Sequence, residues 1–256
     1  MLGFLKRRRR RRIGGSPFPD RCVEILHRHA PFYARLPDDD QRELQRHIIV
    51  FLDEKVFEGC GGLELTEEMA VTVAAHACRL LLHRETNYYP TVSSILIYPE
   101  AYVAPVVEES DDWFVTEGEE DREGEASRYG TVVLSWTEVL ADVRAEGAGR
   151  NLVVHEFSHQ LDMEDGEADG VPPLPSRRHY AEWSAVLGRE YDRLRAEADR
   201  GRPTLLDPYG AEDPAEFFAV ATECFFDQPA SLRAAHPDLY GQLRLFYRQD
   251  PGRLSP

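Results

Sequence analysis

The sequence predicts an α+β fold whose N-terminal portion is helical. Apolar residues recur at helical spacing over residues 21–85, which indicates several consecutive helices. Strand patterns follow at residues 94–98 and 131–136, where β-branched and aromatic side chains cluster. Helical periodicity then returns and continues to the C-terminus. Helices that pack around a few strands are typical of this fold class.

Length and composition set the outer limits. The chain has 256 residues, enough for one large domain with a substantial core. A hydrophobic content of 42% is that of a globular protein. The net charge of −16 argues against specific nucleic-acid binding by the folded domain. No apolar stretch approaches the ~18–20 residues needed to cross a bilayer, so we expect no transmembrane segment.

The cysteines favour a cytoplasmic location. Cys22, Cys60, Cys78 and Cys224 are scattered, without zinc-finger spacing or a compact disulfide framework. Reduced, buried thiols are typical of cytosolic proteins. A disulfide between distant cysteines stays open at this point.

The N-terminus carries a basic tract, Lys6 followed by the arginines Arg7 to Arg12. No apolar segment follows the charges, so we expect neither a secretory nor a twin-arginine export signal. The tract suits contact with nucleic acid or anionic lipid. The alternative, which composition favours, is a solvated and disordered tail over residues 1–19. A third alternative is that the tract folds back electrostatically on the acidic remainder of the chain.

The helical portion shows recognisable boundaries. A short helix over residues 21–29 ends before Pro31. Asp38 is expected to cap the next helix in a capping box with Gln41. Thr66 is expected to cap the helix after it, whose first turn carries two glutamates that suit the positive end of the helix dipole.

The middle of the chain alternates strands and loops. The first strand is expected to continue over residues 102–107. Residues 108–125 are strongly acidic and are expected to form a solvated loop, anchored as a flap by Trp113 and Phe114. After the second strand, Thr137 is a candidate cap for a short helix.

The C-terminal part is helical again. A long amphipathic helix has its apolar side formed by Tyr180, Trp183, Leu187, Tyr191 and Leu194. Asp213 and Pro214 then make a strong helix start, because Asp caps and Pro fits the first helical position. A last helix is expected over residues 237–249.

Chemistry concentrates in His155-Glu156-Phe157-Ser158-His159. Two histidines four apart on a helix point to the same side, where one tetrahedral ion can take both imidazoles. Glu156 lies beside such an ion, where its carboxylate can accept a proton from water. The alternative is a chance match of five residues. The apolar run before the motif and a downstream third ligand favour the metal site.

The third ligand has two candidates on the helix that begins after Asp213. Glu216 and Glu223 are seven apart and share one face, two turns from each other. Glu216 can instead serve as an N-terminal capping glutamate, and Glu223 as an acceptor that orients a ligand histidine. Asp162 is another candidate for that orienting role. The pattern alone leaves both glutamates open and gives Glu216 the preference.

The segments from His155 to Asp162 and from Asp213 to Val220 resemble the Mlc titration factor A family of zinc metallopeptidases. The likeness also covers residues 61–65, 95–99, 133–136 and 246–251, but not the basic tract. That family is similar in its catalytic core to the protease domain of anthrax lethal factor, a gluzincin-type arrangement.

The resemblance implies a zincin-like metallopeptidase core that holds one zinc ion through His155, His159 and Glu216. It implies that Glu156 is the catalytic base and that Tyr209 donates a hydrogen bond to the oxyanion. Losing such a donor typically costs about 10²–10³ in turnover. Without the resemblance, Tyr209 is interpreted as an aromatic residue of a loop that packs on the surface. The strand over residues 131–136 is expected to edge the cleft and pair with substrate backbone.

We therefore expect residues 20–256 to form a single zincin-like peptidase domain, with a mainly helical lobe over 20–90 and a catalytic lobe over 91–256. The expected function is zinc-dependent hydrolysis of peptide substrates, as in an aminopeptidase. The alternative, which rests on the resemblance alone, is a regulator that binds and sequesters a sugar-responsive transcription repressor of the Mlc type.

Overall fold

The computed structural model describes residues 2–100, 102–105, 119–122, 124–127 and 130–253. Within these ranges, α-helices pack around a small and mostly parallel sheet. The helices and strands that the sequence patterns predict are therefore both present. In sequence order, most of the described strands follow the N-terminal helices and precede the helices that carry the His-Glu-x-x-His motif and its third ligand.

Four helices precede most of the sheet: α1 (Leu2–Gly14), α2 (Asp20–His29), α3 (Asp38–Glu54) and α4 (Glu67–Arg79). The helix α4 begins as the sequence predicts, because the Thr66 side chain accepts a hydrogen bond from the Met69 N–H. Ten of its residues are buried, which makes α4 a central element of the N-terminal part.

Helix α1 differs from the disordered tail that the sequence predicts. Arg10 Nε and Nη2 donate to the two oxygens of the Glu54 carboxylate, at 2.7 and 2.8 Å, and the guanidinium carbon lies 4.6 Å from the centre of the Tyr88 ring. Ile13 packs against the core. These contacts match the alternative in which the tract folds back on acidic residues, because the acidic end of α3 supplies the partners.

The predicted capping box at the start of α3 is wrong. Pro37 occupies the N-cap position and no side chain caps the helix there. The Gln41 amide donates instead to the carbonyl oxygens of Tyr33 and Leu36, at 3.2 and 3.0 Å. Asp38 lies in the first turn, where its charge still suits the helix dipole.

The larger sheet contains β1 (Val56–Gly59), β2 (Ser94–Tyr98), β5 (Gly124–Ser127) and β6 (Thr131–Ser135). Its strand order is β1-β2-β6-β5, parallel except for β5. A second, two-stranded sheet pairs β3 (Tyr102–Pro105) with β4 (Glu119–Arg122). The parallel neighbours β1 and β2 are joined through α4, since a parallel pair needs a crossover connection.

The expectation that residues 131–136 edge the cleft is wrong, because β6 has a neighbour on each side. The outer position next to it belongs to β5, which the sequence patterns did not predict. Part of the predicted acidic loop, residues 119–122, is strand β4. Trp113 and Phe114, the expected anchors of a flap, lie outside the described residues.

In the described residues after β6, six α-helices follow: α5 (Trp136–Arg144), α6 (Leu152–Asp162), α7 (Arg177–Ala198), α8 (Pro214–Asp227), α9 (Pro229–Ala235) and α10 (Pro237–Tyr247). Ser135, and not Thr137, caps α5 by accepting from the Glu138 N–H. The Thr137 hydroxyl donates instead to the Pro99 carbonyl at 2.6 Å, which fixes α5 against the end of β2.

The core is centred on α6 and α8. Every residue of α8 from Ala215 to Phe226 is buried except Glu216. Phe157 of α6 lies 5.6 Å from the Phe51 ring and 4.8 Å from the Tyr89 ring, which joins the motif helix to α3. Burying each such ring contributes about 1.5–3 kcal/mol.

Two further findings concern the described residues as a whole. Cys22, Cys60, Cys78 and Cys224 are free thiols. Among the helices of the described ranges, none has the length and apolar character that a membrane crossing requires.

The start of α8 is fixed by a close backbone approach at Gly170. Its N–H donates to Asp162 Oδ2 at 2.8 Å, and its carbonyl accepts from the Trp183 indole at 3.0 Å. Its φ is +76°, and a Cβ there would lie 2.2 Å from the Pro214 carbonyl oxygen. Glycine is therefore required both for the backbone conformation and for the contact with α8.

We expect Gly170→Ala to lower the free energy of unfolding more than Gly166→Ala does. Both glycines have positive φ, but a Cβ at Gly166 meets nothing within 4 Å. Gly166→Ala therefore carries only the backbone strain, about 1–2 kcal/mol. Gly170→Ala adds overpacking, typically about 1–3 kcal/mol. Urea unfolding of both variants measures the difference, and equal losses would contradict the contact.

Candidate metal centre

Helix α6 is held at its first turn by two side chains from outside the helix. The Asn151 side chain caps it by accepting from the Val154 N–H at 3.0 Å. The Leu152 N–H donates to the buried carboxylate of Asp142 at 2.7 Å. Free N–H groups at a helix start need such acceptors when they are buried. The direction of α6, and so of its histidines, is therefore fixed before any ligand binds.

The structure brings His155, His159 and Glu216 together. His155 Nε2 lies 3.2 Å from His159 Nε2 and 3.0 Å from Glu216 Oε2, and His159 Nε2 lies 3.5 Å from Glu216 Oε1. Three ligands at zinc bond lengths of 2.0–2.1 Å in a tetrahedron are about 3.3 Å apart. The three side chains can therefore hold one ion without rearrangement.

Glu223 fixes the protonation state of His155. Its Oε1 lies 2.7 Å from His155 Nδ1. A carboxylate only accepts hydrogen bonds, so Nδ1 carries a proton, and Nε2 is the nitrogen that faces His159 and Glu216 and can bind a metal ion. The role of a hydrogen-bond acceptor to a ligand histidine, one of the two that the sequence left open for Glu223, matches this contact.

Glu216 provides a direct test of whether a cation fits. Its Oε2 is buried and makes no well-aligned hydrogen bond among the described residues, although it lies 3.0 Å from His155 Nε2. A buried carboxylate oxygen without a partner is costly. It faces two imidazole nitrogens, which is the donor set that zinc takes in proteins. The residues present therefore fit a divalent metal ion.

The charges at the centre are strongly coupled. Burial lowers the pKa of His155, but the neighbouring carboxylates Glu216 and Glu223 outweigh it and hold that pKa well above its usual range. Burial raises the pKa of Glu216, yet the two histidines bring it down to about 2. Protons and a metal ion compete for the same imidazole lone pairs, so metal affinity falls as the pH falls.

Glu156 is positioned differently from the other acids. It is only 4% exposed, and burial raises its pKa to about 7, against the opposing effect of the His155 and His159 charges. It follows His155 directly on α6 and so lies beside the three ligand atoms and not among them. A carboxyl group with a pKa near neutrality can both take up and release a proton.

Tyr209 lies at the open side of the centre. It belongs to a short 3-10 helix, Pro208–Ala211, and its N–H donates to Asp207. Its ring centre is 6.1 Å from that of His155, and the side chain is 48% exposed. Partial burial, and then the charge of Glu216, raise its pKa to about 12, so its hydroxyl stays a hydrogen-bond donor at neutral pH.

A chain of hydrogen bonds supports the centre from behind. Glu223 Oε2 accepts from the Asn151 N–H at 2.5 Å, and the Asn151 side chain lies 3.0 Å from His76 Nδ1. His76 Nε2 faces the His29 carbonyl at 2.9 Å. The sequence patterns singled out neither His76 nor Asn151 for this role. The apolar run after Asn151 was the available signal for a helix cap.

Asp162 does not take the orienting role that the sequence suggested. Its Oδ2 accepts from the Gly170 N–H, and burial raises its pKa to about 6. It thus supports the loop that contacts the start of α8. Its link to Glu216 is indirect, through Gly170 and Pro214.

Two histidines and a carboxylate on packed helices, with a free glutamate beside them, define the class of metal-dependent hydrolases with a His-Glu-x-x-His helix. Comparison with known proteins agrees. Residues 4–248 match the profile of the family described as glucose-regulated metallo-peptidase M90. The chain belongs to this metallo-peptidase family, which implies a bound metal.

Similar proteins cover nearly the whole chain. A protein of Synechocystis sp. is 38% identical over 95% of this chain and 89% of its own length. Mlc titration factor A of Edwardsiella ictaluri is 34% identical over 92% of this chain and 88% of its own. Mlc titration factor A of Serratia proteamaculans is 34% identical over 83% and 82%. The predicted resemblance to the Mlc titration factor A family is confirmed.

We expect Glu223→Gln to weaken metal binding about 10–100-fold. Glu223 accepts from two donors, His155 Nδ1–H and the Asn151 N–H, and a glutamine offers only one acceptor oxygen. A competition titration of the chelator-stripped protein measures the affinity.

The matched control is Glu190→Gln. Glu190 is also buried and lies 2.8 Å from His236 Nδ1, but its contact is in another part of the molecule. This variant loses a buried Glu–His contact without touching α6. Equal metal affinity in Glu223→Gln and Glu190→Gln would show that Glu223 does not orient the ligand.

Proposed function

We propose that this protein is a zinc-dependent peptidase with a zincin-like core and one catalytic zinc ion. The observation that supports it is the convergence of His155, His159 and Glu216, whose ligand atoms lie within 4.8 Å of one another beside the buried Glu156. Membership of a metallo-peptidase family supports the same reading.

The proposed mechanism assigns one task to each side chain. His155, His159 and Glu216 hold the zinc ion, and Glu223 keeps His155 in the tautomer that can bind it. Zinc, when bound, polarises the scissile carbonyl and lowers the pKa of water toward ~7. Glu156 takes a proton from the attacking water and delivers it to the departing amine. Tyr209 donates a hydrogen bond to the oxyanion of the tetrahedral intermediate.

A strand edge beside α6 is available for substrate backbone. Strand β5 ends the larger sheet and lies next to α6. Edge strands bind extended peptides through backbone hydrogen bonds. We propose that β5, and not β6, pairs with the substrate.

The proposed function includes aminopeptidase action. Cleavage rates of peptides with free and with acetylated N-termini distinguish it from endopeptidase action, because only an aminopeptidase requires the free N-terminus.

We expect Glu156→Gln to keep its zinc and to lose turnover by about 10²–10⁴-fold. Glutamine has the size of glutamate but cannot take up the proton. Zinc content is measured by mass spectrometry and turnover with a peptide library. The matched control is Glu164→Gln, a half-buried glutamate just beyond α6 whose pKa burial also raises. Unchanged turnover in Glu156→Gln would sink the proposed mechanism.

A second candidate function is binding of a transcription repressor. It rests on the relatives named Mlc titration factor A, which are 34% identical over most of the chain. We propose that this chain binds a repressor of the Mlc type, with hydrolysis secondary. The zinc-retaining Glu156→Gln variant serves as bait in extracts of the native cell. Capture of such a repressor supports this function, and its absence from the captured proteins counts against it.

The remaining expectations stay predictions. The cytoplasmic location rests on the scattered cysteines. The division into a helical lobe over residues 20–90 and a catalytic lobe over 91–256 rests on the sequence pattern. Limited proteolysis checks the single domain, because β1 pairs with β2 across residue 90 and a cut there is expected to leave no independently stable fragment.

A further inference from the structure

A cavity of about 290 Å³ lies at the end of α8 that is remote from the metal centre. Glu216, the α8 residue at that centre, is eleven positions before Asp227, which corresponds to about 16 Å along a helix. Residues from the 3-10 helix Pro31–Arg35, the end of α4, the segment after α5 and the end of α8 line the cavity: Phe32, Arg35, Arg79, Glu146, Phe226 and Asp227. None of them belongs to the metal centre.

Arg79 contributes a buried positive charge to the wall of this cavity. The residue is only 9% exposed, and its guanidinium carbon lies 4.1 Å from the centre of the Phe32 ring and 4.8 Å from that of the Phe226 ring. Burial lowers the pKa of Arg79 to about 10, against the opposing effect of the Asp227 and Glu146 charges. The guanidinium therefore stays charged at neutral pH.

Most of the hydrogen-bonding capacity of Arg79 is unused. A guanidinium offers several N–H donors in a planar fork. Arg79 Nη2 donates to the Phe226 carbonyl at 3.0 Å, and this guanidinium makes no other hydrogen bond and no ion pair with the described residues. A buried charge without a charged partner is costly. The free donors of Arg79 are therefore the observation that points to a ligand.

The two acids that line the same cavity are engaged by other donors. The two oxygens of Glu146 accept from the Arg35 guanidinium at 2.6 and 3.2 Å. Asp227 Oδ2 accepts from the Gly147 N–H at 2.9 Å. Neither carboxylate forms an ion pair with Arg79, although both are close enough to influence its pKa. The unsatisfied group of the cavity is thus a cation.

These features fit a small carboxylate. The planar guanidinium matches the two oxygens of a carboxylate, and Phe32, Leu36 and Pro229 supply apolar wall for the body of a ligand. Ligand pockets are typically about 300–1,000 Å³, so this cavity takes a molecule of about the size of an amino acid. A phosphate dianion fits less well, because Glu146 and Asp227 repel its second charge.

The simplest competing explanation is that water fills the cavity and satisfies Arg79. Buried water commonly pairs with polar groups that have no protein partner. The two explanations differ in one measurable way. Only a carboxylate site distinguishes an acid from its neutral amide, which has nearly the same size and shape.

We propose that the cavity around Arg79 binds a small monocarboxylate with an apolar body, of the class of N-acylated amino acids. Arg79 holds the carboxylate, and the Arg35–Glu146 pair, whose side chains are 42% and 29% exposed, lies where solvent reaches the cavity. The proposal does not depend on the proposed catalytic function, because the two sites share no residue.

The test is calorimetric titration of the full-length, zinc-loaded protein with N-acetylleucine and with N-acetylleucinamide. We expect the acid to bind and the amide to bind at least about tenfold more weakly, because hydrogen bonds between charged groups are lost. Arg79→Lys keeps the charge but loses the fork, and is expected to weaken binding of the acid about tenfold.

The matched control is Arg84→Lys. The guanidinium carbon of Arg84 also lies close to an aromatic ring, 4.0 Å from the centre of Phe246, but Arg84 does not line the cavity. This variant is expected to bind the acid as the unmodified protein does. Arg35→Gln provides a second variant on a more exposed residue. It frees Glu146 to pair with Arg79 and is expected to weaken binding of the acid.

A further arm excludes binding at the metal centre, since a carboxylate can also bind zinc. Glu216→Gln is expected to leave the affinity for N-acetylleucine unchanged, and loss of binding in that variant would overturn the proposal. Failure of the acid to bind at millimolar concentration, equal affinity for acid and amide, tighter binding of inorganic phosphate, or unchanged affinity in Arg79→Lys would each overturn it as well. Should Arg79→Lys not fold, unchanged affinity in Arg35→Gln takes its place.

Discussion

One imidazole between two carboxylates is the arrangement on which the rest of this structure depends. His155 faces Glu223 with one ring nitrogen and Glu216 with the other, and all three side chains are largely buried. Burying charges is costly unless each has partners. The helices α6 and α8 meet at this point, so their packing and the chemistry of the site cannot be separated.

The neighbouring polar groups follow from this constraint. Asn151 links Glu223 to His76, and Asp142 accepts from the first N–H of α6. Each satisfies a group that the packing of α6 would otherwise leave buried and unpaired. Apart from Thr222 and the last residue, Asp227, the rest of α8 is apolar, and its two glutamates both contact His155.

Helix geometry and capping preferences predicted much of the site, but they did not determine which glutamate is the third metal ligand. The histidine pair follows from helix geometry, and the start of α8 follows from Asp213 and Pro214, whose cap the structure contains. Glu216 and Glu223 could not be separated from spacing, because residues seven apart share a face. The structure separates them by the ring nitrogen of His155 that each one faces.

The predictions that were wrong concern residues whose partners lie outside their local motif. Composition favoured disorder for the basic tract, but Arg10 contacts Glu54, which is forty-four residues later in the chain. The Gln41 amide donates to the Tyr33 carbonyl, and the Thr137 hydroxyl donates to the Pro99 carbonyl. Neither side chain takes the helix-capping role that its position suggested. Strands β1 and β5 are only four residues long. For such short segments, pairing with neighbouring strands determines the β-conformation more than the local sequence does.

A second histidine–carboxylate group shows by contrast what favours chemistry at the α6–α8 contact. Between α3 and the turn after α4, Asp40 and Glu43 each face a ring nitrogen of His83, so neither carboxylate is left to move a proton. At the α6–α8 contact, Glu156 lies outside the ligand set, with a pKa raised to about 7 by burial, and Tyr209 stands exposed nearby. Hydrolysis needs an acid–base group that is not itself a metal ligand. The carboxylate of Glu156, more than the three ligands, is therefore what favours catalysis at this centre.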